Sequence, residues 1–469
     1  MPAEGVDVAI VGGGIAGAAA AEVLSRHGVR VMILDENQRP GGQYLRGGRH
    51  ARSGWPDRVE RQGLNLIDRL GKSPVDVRRR TDVLGIDAGL ELLAADARGE
   101  VFAIKPAFLL LATGARERFV PFKGWTLPGV LATGAVQILI KQSGILPARS
   151  TLVAGAGLFP TAVACDIRKN GGRVQAVFDE MPLSLRIPPP GLLAGHFLKF
   201  LQGGVLLARL LRAGVVVRNR TRIVEARGDG RLREVVSARV DRCGNVIPGS
   251  AKAHPAECLG VGFGFTANIE LAQLAGCGLA FNASLGGWVV KVNEDLETGV
   301  DGIWAAGEIT AVGGAAKSLV EGRLAGFSIL RRMGLLKTRK AAEAMARLKR
   351  SRQRQLAFAR YFNAQSTLPR ERFAAIVQSL PDEVPVCRCE DVSLGGVRKA
   401  IAEGFHTPAA VKKATRCGMG ICQGGTCRDI LLDVLAALTG KPLAHIPLPS
   451  VRMPIRPVYL GTLAGEVGL

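Results

Sequence analysis

Residues 8–17 read VAIVGGGIAG, and this stretch decides the fold of the 469-residue chain. An apolar run leads into the glycines, and an alanine-rich stretch from Ile15 to Arg26 follows them. A second apolar run, VRVMIL at residues 29–34, comes next. A G-x-G-x-x-G motif indicates dinucleotide binding when it joins a strand to a helix in this order. The sequence therefore predicts an α/β fold, with Ile15 and Ala16 beginning the helix at the cofactor site.

Each glycine of the motif has a separate physical role. Gly12 permits the tight turn, Gly14 lets the backbone approach a pyrophosphate, and Gly17 lets helix and strand pack closely. The helix N-terminus favours the pyrophosphate charge. Asp35 is predicted to accept a hydrogen bond from the adenosine ribose, and Glu36 competes for that role. An acidic residue here disfavours a 2′-phosphate, which indicates FAD or NAD rather than NADP.

Three further segments favour FAD. They are Pro40–Gln43, LLLATG at Leu109–Gly114, and IWAAGE at Ile303–Glu308. Together they resemble the flavoproteins with two dinucleotide-binding domains, typified by glutathione reductase and thioredoxin reductase. The resemblance implies that the acid after A-x-G contacts the ribityl–pyrophosphate region of FAD, although Glu308 stands where Asp is usual. The predicted FAD-binding residues in these segments are Gly42, Gln43, Ala112, Thr113, Gly114, Gly307 and Glu308. The PGG segment has no cysteine, so we do not expect disulfide reduction.

A second dinucleotide fold is predicted in the middle of the chain. A strand at Ser150–Ala154 leads into Gly155 and Gly157, with Pro160 in place of the third glycine. The next predicted strand ends in an acid pair, Asp179 and Glu180. The alternatives for this site are NAD, another adenine nucleotide such as ATP or ADP, or no ligand. An FMN at a subunit interface is a further alternative for a second cofactor.

Four cysteines near the C-terminus predict a metal centre. Cys387 and Cys389 form a C-x-C pair, and Cys422 and Cys427 form a C-x4-C pair. Four thiolates complete a [2Fe–2S] cluster, although tetrahedral zinc accepts the same ligands. By spacing, a fifth cysteine, Cys417, could replace Cys422. We favour Cys422 because the spacing resembles the [2Fe–2S] domain of the bacterioferritin-associated-ferredoxin type.

The motifs together resemble one narrower group, and they extend from residue 8 to residue 461. They include LATGARERFVPFKGWTLPGV, AAGEITAVGGAAKSLVEGRLAG, TRCGMGICQGGTC and RMPIRPVYLG. The chain resembles the larger flavoprotein subunit of heteromeric amino-acid and opine dehydrogenases. That group includes the corresponding subunits of opine oxidase and hydrogen cyanide synthase, and the α subunits of proline and hydroxyproline dehydrogenase. The resemblance implies FAD, a [2Fe–2S] cluster, a partner flavoprotein resembling D-amino-acid oxidase and a small ferredoxin-like subunit.

Composition narrows the class of protein. The formal charge of +22 comes from scattered basic residues, and no nucleic-acid-binding module is evident. The odd count of nine cysteines does not suggest a secreted disulfide framework. We expect no signal peptide and no uncharged apolar run of the roughly 20 residues that span a membrane. We therefore expect a cytoplasmic protein, with peripheral contact to the inner membrane through the electron acceptor as an alternative.

The predicted function is electron relay from amine C–H oxidation to a one-electron acceptor. The alternatives are a stand-alone NADH-dependent flavin reductase and a non-catalytic subunit that holds cofactors. No general base is predicted. The predicted domains are an FAD-binding domain (1–145 and 286–336), a second nucleotide-binding-like domain (146–285), a basic helical linker (337–384), a [2Fe–2S] domain (385–440) and a C-terminal extension (441–469).

Overall fold

A computed structural model describes residues 4–46, 58–182 and 187–463. The chain divides into two compact units. The first comprises Met1–Arg116, Thr266–Arg360 and Val451–Leu469, and the second comprises Glu117–Phe265 and Tyr361–Ser450. These divisions fall at other positions than the predicted domain boundaries near residues 145 and 285.

Helices and strands are interspersed along the chain as far as residue 305. From residue 4 to residue 143 they are β1 (Glu4–Val11), α1 (Ile15–Ser25), β2 (Val31–Asp35), α2 (Gly42–Leu45), α3 (Arg58–Leu70), β3 (Asp76–Arg79), β4 (Asp82–Ile86), β5 (Leu92–Ala95), β6 (Val101–Leu111), β7 (Ala115–Glu117), β8 (Val130–Ala132) and α4 (Thr133–Ser143). From residue 150 to residue 305 they are β9 (Ser150–Gly155), α5 (Leu158–Lys169), β10 (Arg173–Asp179), α6 (Pro190–Arg212), β11 (Val216–Asn219), β12 (Thr221–Arg227), β13 (Glu234–Arg239), β14 (Lys252–Pro255), β15 (Cys258–Gly262), β16 (Phe265–Ala267), α7 (Glu270–Leu274), β17 (Leu279–Asn282), β18 (Gly287–Val290) and β19 (Ile303–Ala305).

The remainder of the described chain is mainly helical. Its elements are α8 (Ala315–Arg332), α9 (Arg339–Ser366), α10 (Arg370–Ser379), β20 (Pro385–Cys387), β21 (Val392–Ser393), α11 (Leu394–Ala402), α12 (Pro408–Thr415), α13 (Cys427–Thr439) and α14 (Leu460–Leu463). Helices α11 and α12 lie in the sequence between the C-x-C pair and the C-x4-C pair. Ser393 and Thr407 cap these two helices by accepting hydrogen bonds from backbone N–H groups.

The first unit is built on a mixed sheet with the strand order β3-β2-β1-β6-β5-β4, and β19 pairs with β6. Strand β1 is parallel to both β2 and β6, so that Ile10 lies opposite Ile33 and Leu110. Every residue of β2 is buried, as expected for a parallel strand that is covered on both faces. The carboxyl ends of β1, β2, β6 and β19 therefore share one edge of the sheet, where this fold class binds nucleotides.

Helices α1 and α8 pack unusually closely in this unit because small residues line their contact. A side chain added at Gly322 would collide with the carbonyl oxygen of Ala16. A Cβ at Gly326 would lie 2.9 Å from the Cβ of Val23. Glycine inside a helix lowers stability by about 1 kcal/mol relative to alanine, so its use here indicates a packing requirement.

The second unit contains a parallel sheet with the order β11-β10-β9-β15-β8 and a three-stranded antiparallel sheet, β12-β13-β14. The cysteine-bearing segment is anchored within this unit. The indole nitrogen of Trp125 donates a hydrogen bond to the carbonyl oxygen of Pro385 at 2.9 Å. Arg118 also forms an ion pair with Asp433 of α13. These two contacts fix β20 and α13 to the rest of the unit.

Helix α6 is long and mainly apolar, and it starts with Pro190 at its first turn. Its backbone departs from helical geometry at His196, where φ is −135° and ψ is 27°. Among the residues that the structure describes, α6 is the single helix long and apolar enough to cross a membrane by length and composition. The helix is not an uncharged apolar run, because it contains Lys199 and Arg209.

Candidate functional site

The predicted FAD-binding residues of the first unit converge on the carboxyl edge of its sheet. Gly12 has a φ of +107°, and a Cβ there would collide with the carbonyl oxygen of Ala112. A Cβ at Gly17 would collide with the carbonyl oxygen of Gly12. A Cβ at Gly42 would lie 3.0 Å from the Cα of Gly14. Only glycine fits these positions, and the loops leave a backbone cradle that suits a pyrophosphate.

The start of α1 completes this cradle. Ile15 and Ala16 begin the helix, and its first turn contains no acidic side chain. The first turn therefore supplies backbone N–H groups and no acidic side chain of its own, which favours an anion there. Thr113 donates a hydrogen bond to the carbonyl oxygen of Asn268 at 2.7 Å, which holds the Ala112–Gly114 segment. Gln43 lies exposed in α2.

The two acids after β2 occupy different environments. Asp35 is buried, and its Oδ2 accepts a hydrogen bond from the N–H of Gly13 at 2.6 Å. Its Oδ1 accepts hydrogen bonds from the backbone and side chain of Asn37, both at 2.7 Å. Burial raises the pKa of Asp35, although these hydrogen bonds oppose the shift. Glu36 is exposed and pairs with Arg456 at 3.0 Å. Asp35 thus positions the glycine loop, and the choice of ribose ligand stays a prediction.

Glu308 lies at the N-terminus of α8. Its carboxylate accepts hydrogen bonds from the N–H groups of Gly314 at 2.8 Å and Gly313 at 3.2 Å, and from the hydroxyl of Ser318 at 3.2 Å. Burial raises the pKa of Glu308, and the nearby charge of Lys317 partly opposes that effect. The predicted contact of Glu308 with FAD remains a prediction, but its carboxylate is already fixed in place.

A buried charge network that the sequence analysis missed supports the same loop. Lys317 and Glu321 are fully buried, with Nζ and Oε2 2.8 Å apart, and Arg352 of α9 contacts Glu321 at 2.8 Å. Lys317 donates a hydrogen bond to the carbonyl oxygen of Gly307 at 2.6 Å, and Glu321 accepts one from the N–H of Gly307 at 2.9 Å. Thr310 bonds to both charged side chains at 2.7 Å. The network, defined by Lys317, Glu321 and Arg352, therefore fixes both backbone polar groups of Gly307.

The second predicted glycine loop, in the second unit, is closely packed. Gly155 has a φ of +140°, and a Cβ there would collide with the carbonyl oxygen of Gly262. A Cβ at Gly157 would collide with the hydroxyl of Ser366, which lies at the end of α9. The loop has the glycine geometry of a nucleotide-binding turn, but a side chain contacts its second glycine.

The acids after β10 are engaged inside the second unit. Glu180 is fully buried and ion-paired with Arg222, whose Nε lies 2.9 Å from Oε2. Arg372 of α10 donates a hydrogen bond to the carbonyl oxygen of Glu180 at 3.0 Å. Asp179 is also buried, and its Oδ1 accepts a hydrogen bond from the N–H of Met181 at 2.8 Å. Both acids of the pair after β10 therefore have protein partners.

Glu117 is a further buried acid of the second unit that the sequence analysis did not single out. Its Oε2 accepts a hydrogen bond from the N–H of Gly134 at 2.6 Å, at the start of α4. Burial raises the pKa of Glu117 to about 8 and outweighs the hydrogen bonds from backbone N–H groups, which lower it. Within the described residues, Glu117 Oε1 and the hydroxyl of Thr133 lack a hydrogen-bond partner. No sequence motif marks this position.

Five cysteines meet in the C-terminal part of the second unit. The sulfurs of Cys387, Cys417 and Cys427 are buried and lie within 4.8 Å of one another. Cys389 and Cys422 form a second close pair joined by hydrogen bonds. The structure therefore brings the predicted ligands Cys387 and Cys427 together with Cys417. The ligand set Cys387, Cys389, Cys422 and Cys427 stays a prediction, because five thiols are present for four ligand positions.

The local backbone explains why the thiols converge. A Cβ at Gly420 would collide with the Cβ of Cys389, so the glycine-rich loop can close over the C-x-C pair only without a side chain there. The N–H of Gly418 donates to the sulfur of Cys387 at 3.5 Å. Hydrogen bonds from the thiols of Cys417 and Cys427 lower the pKa of Cys387. Thiolates are the ligands that hold an iron–sulfur cluster, and a backbone N–H directed at sulfur tunes the potential of such a cluster.

Comparison with known families identifies the fold. Residues 6–345 match the family described as pyridine nucleotide-disulphide oxidoreductase. The chain belongs to this family. Residues 385–437 match the BFD-like [2Fe-2S] binding domain, which contains the five cysteines. The pyridine nucleotide-disulphide oxidoreductase fold and the C-terminal iron–sulfur domain that the sequence predicts are thus confirmed.

Full-length relatives define the functional class. The chain is 32% identical to hydrogen cyanide synthase subunit HcnB of Pseudomonas aeruginosa, over 96% of each chain. It is 29% identical to an opine oxidase subunit of Agrobacterium tumefaciens, over 98% of this chain and 91% of the relative. The crystal structure of L-proline dehydrogenase from P. horikoshii has the same fold, with a TM-score of 0.73 and 22% identity, over 99% of this chain and 80% of that one. The predicted resemblance and oxidoreductase class are confirmed.

Proposed function

We propose that this chain is the subunit of a heteromeric amino-acid or opine-type dehydrogenase that holds FAD and a [2Fe–2S] cluster. It passes electrons from amine C–H oxidation to a one-electron acceptor. The observation that carries the proposal is the presence in one chain of a glycine cradle and of five neighbouring cysteines, three of them buried together. Relatives matched over nearly the whole chain are named as enzyme subunits, which supports the heteromeric assembly.

The residues of this chain suit the two groups. A flavin accepts two electrons together and releases them singly, and a [2Fe–2S] cluster carries one electron at a time. The cradle around Gly12, Gly14 and Gly42 would hold the pyrophosphate of FAD. The carboxylate of Glu308 accepts a hydrogen bond from Gly314 and would contact FAD beside the Gly307 loop, which the Lys317 network holds in place. The cysteines would hold iron as thiolates.

The second glycine loop, in our proposal, holds no dinucleotide. Glu180 is paired with Arg222 and Arg372, and freeing its carboxylate would leave buried guanidinium groups without a counter-charge. Breaking such a buried pair costs about 3–5 kcal/mol. We therefore expect that NADH does not reduce the purified chain, which opposes a stand-alone NADH-dependent reductase. An adenine nucleotide or FMN, where one is bound, would lie outside this loop.

We further propose that the partners are a smaller flavoprotein resembling D-amino-acid oxidase and a small ferredoxin-like subunit. The amine would be oxidised on the partner flavoprotein, since the sequence offers no convincing general base in this chain. Its two electrons would then leave singly through this subunit.

Co-purification tests the proposal. A tagged chain isolated anaerobically from its own cells should carry flavin and iron, and should retain a second flavoprotein identified by mass spectrometry. Amino acids and opines should be screened with ferricenium as the one-electron acceptor. A colourless chain without a partner, or rapid bleaching of the flavin by NADH alone, would contradict the proposal.

A variant separates relay from amine oxidation. In the assembled complex, Cys389→Ser should lower ferricenium reduction at least about tenfold, while single-turnover reduction of the partner's flavin by substrate stays unchanged. Cys243→Ser is the matched control, because Cys243 is an exposed cysteine outside the C-terminal group of five cysteines. Full ferricenium reduction by the Cys389→Ser complex would show that electrons leave by another route.

A further inference from the structure

The C-terminal group of cysteines contains one thiol more than a [2Fe–2S] cluster needs. Four thiolates complete such a cluster, and the group contains five cysteines. Cys417 is the member that lies outside the predicted ligand set. It is 1% exposed, as are Cys387 and Cys427, and the three sulfurs lie within 4.8 Å of one another. We call Cys387, Cys417 and Cys427 the buried trio.

The division of the five cysteines into a trio and a pair indicates where the extra thiol lies. Cys389 and Cys422 form the pair and are joined by hydrogen bonds. Each iron of a cluster with four cysteine ligands takes two thiolates, so the pair would serve one iron and two members of the trio the other. If Cys417 replaced Cys422 as a ligand, the trio would supply three thiolates and Cys389 the fourth alone. The extra thiol therefore belongs to the trio, which agrees with a ligand set that omits Cys417.

The local backbone directs Cys417 at the other two thiols of the trio. Helix α12 ends at Thr415, and Arg416 follows it in the left-handed conformation that ends many helices, with a φ of +67°. The N–H of Cys417 donates a hydrogen bond to the hydroxyl of Thr415 at 3.2 Å. The thiol of Cys417 forms hydrogen bonds with the sulfurs of Cys387 and Cys427. Its side chain thus contacts two predicted ligand sulfurs.

A neutral thiol at this point can act on the charge of a cluster. With Cys387 and Cys427 as thiolate ligands, Cys417 remains a thiol, because burial and two neighbouring negative charges disfavour a third. Its S–H is then a hydrogen-bond donor, as is the N–H of Gly418, whose nitrogen lies 3.5 Å from the sulfur of Cys387. Reduction adds one negative charge, which a donor directed at a ligand sulfur stabilises. Hydrogen bonds to the sulfurs are among the factors that set the potential of such a cluster.

We propose that Cys417 acts through Cys387, as a hydrogen-bond donor that raises the reduction potential of the [2Fe–2S] cluster. The inference rests on the proposed function, since it requires that the cluster be present. Cys417 forms no bond to iron in this role, and its thiol is neither oxidised nor consumed. The expected consequence is a larger equilibrium constant for one-electron reduction of the cluster.

Redox titration of the purified full-length protein, followed by low-temperature EPR, tests the inference. Cys417→Ala removes the donor. Because S–H is a weak donor, the equilibrium constant for one-electron reduction should fall roughly threefold to tenfold, which corresponds to roughly 30–60 mV. Cys417→Ser keeps a hydroxyl donor at the position and should recover most of that shift. Cys258→Ala is the matched control and should keep the wild-type potential, because Cys258 is also 1% exposed but lies outside the group of five cysteines.

Infrared spectroscopy of the wild type provides a measurement that needs no variant. A spectrum of the oxidised protein subtracted from that of the reduced protein cancels the thiols that do not respond to the cluster. We expect an S–H stretching band that moves to lower frequency on reduction, because the hydrogen bond to the ligand sulfur strengthens as negative charge is added. The absence of such a band would overturn the inference even if Cys417→Ala did not fold.

The outcomes separate this inference from the proposed function. Iron content and the unfolding midpoint establish that each variant is loaded and folded. A Cys417→Ala protein with a full cluster signal and the wild-type potential would overturn the inference alone. Loss of the cluster from a folded Cys417→Ala protein would also overturn it, because Cys417 would then be a ligand. A wild-type protein without a cluster would overturn both.

Discussion

The buried network around Gly307 makes a strong prediction for Glu321→Gln. The substitution keeps the shape of the side chain but removes the negative charge that faces Lys317 and Arg352, each 2.8 Å away. Lys317 is fully buried, so its ammonium would be left without its ion-pair partner. Removing one partner of a buried ion pair costs about 3–5 kcal/mol. For a domain of 150–250 residues this corresponds to a fall in unfolding midpoint of roughly 6–20 °C.

Two assays measure the effect of the Glu321→Gln substitution on stability and on FAD binding. Thermal unfolding by circular dichroism measures the stability, and the rise of flavin fluorescence on heating reports release of FAD. Both midpoints should fall, because Glu321 also accepts the hydrogen bond from Gly307 at the predicted flavin loop. Arg350→Gln on α9 is the control, because Arg350 is exposed. If both midpoints of the Glu321→Gln variant lie within about 2 °C of the wild type, the network has no stabilising role and the reasoning fails.

The pH dependence of the same group provides an independent check. Burial raises the pKa of Glu321, but the charges of Lys317 and Arg352 outweigh burial and lower it below its ordinary value of 4.5. A carboxyl with a lowered folded-state pKa stabilises the protein above pH 4.5, and this contribution is lost as the pH falls through the lower value. The stability difference between the wild type and the Glu321→Gln variant should therefore shrink only in acid.

Three other predictions are direct. Burial raises the pKa of Glu117 from 4.5 to about 8, so the free energy of unfolding of the wild type should fall as the pH rises between these values, by up to about 1.4 kcal/mol per pH unit. Urea unfolding of the Glu117→Gln variant should show a flatter dependence of stability on pH. An unchanged pH profile would contradict the assignment. Cys389→Ser should abolish the low-temperature EPR signal of the reduced cluster while Cys417→Ser retains it, and the reverse result would reassign the ligands. Gly12→Ala should lose bound FAD, since its Cβ would collide with backbone, whereas Gly5→Ala, which has open space, should keep it; equal flavin content would refute the steric argument.

Much of the first site could be predicted because its determinants are local. The turn at Gly12, the start of α1 at Ile15 and the end of β2 at Asp35 depend on glycine geometry and hydrophobic pattern within a few tens of residues. The four-cysteine pattern is also local, because its spacing is visible within residues 387–427. Strand order then follows from the topology of a parallel sheet, which brings Ala112 and Gly307 to the same edge.

The remaining features depend on contacts that spacing does not encode. Lys317 and Glu321 lie four residues apart on α8, which is the spacing of ion pairs on exposed helix surfaces. Their burial and their contact with Arg352 of α9 depend on a helix that is distant in the sequence. The position of Glu180 after a strand is visible in the sequence, but its partners Arg222 and Arg372 come from other elements. Sequence spacing also left open the choice between Cys417 and Cys422.

The close contact of α1 with α8 has a mechanical consequence. Because a backbone oxygen of one helix touches a glycine of the other, neither helix can slide or rotate without steric overlap. The turn at Gly12 and the loop at Gly307 are attached to the ends of this helix pair, and they must therefore move together. Any conformational change that admits or releases FAD has to displace the pair as one body or act through segments outside it.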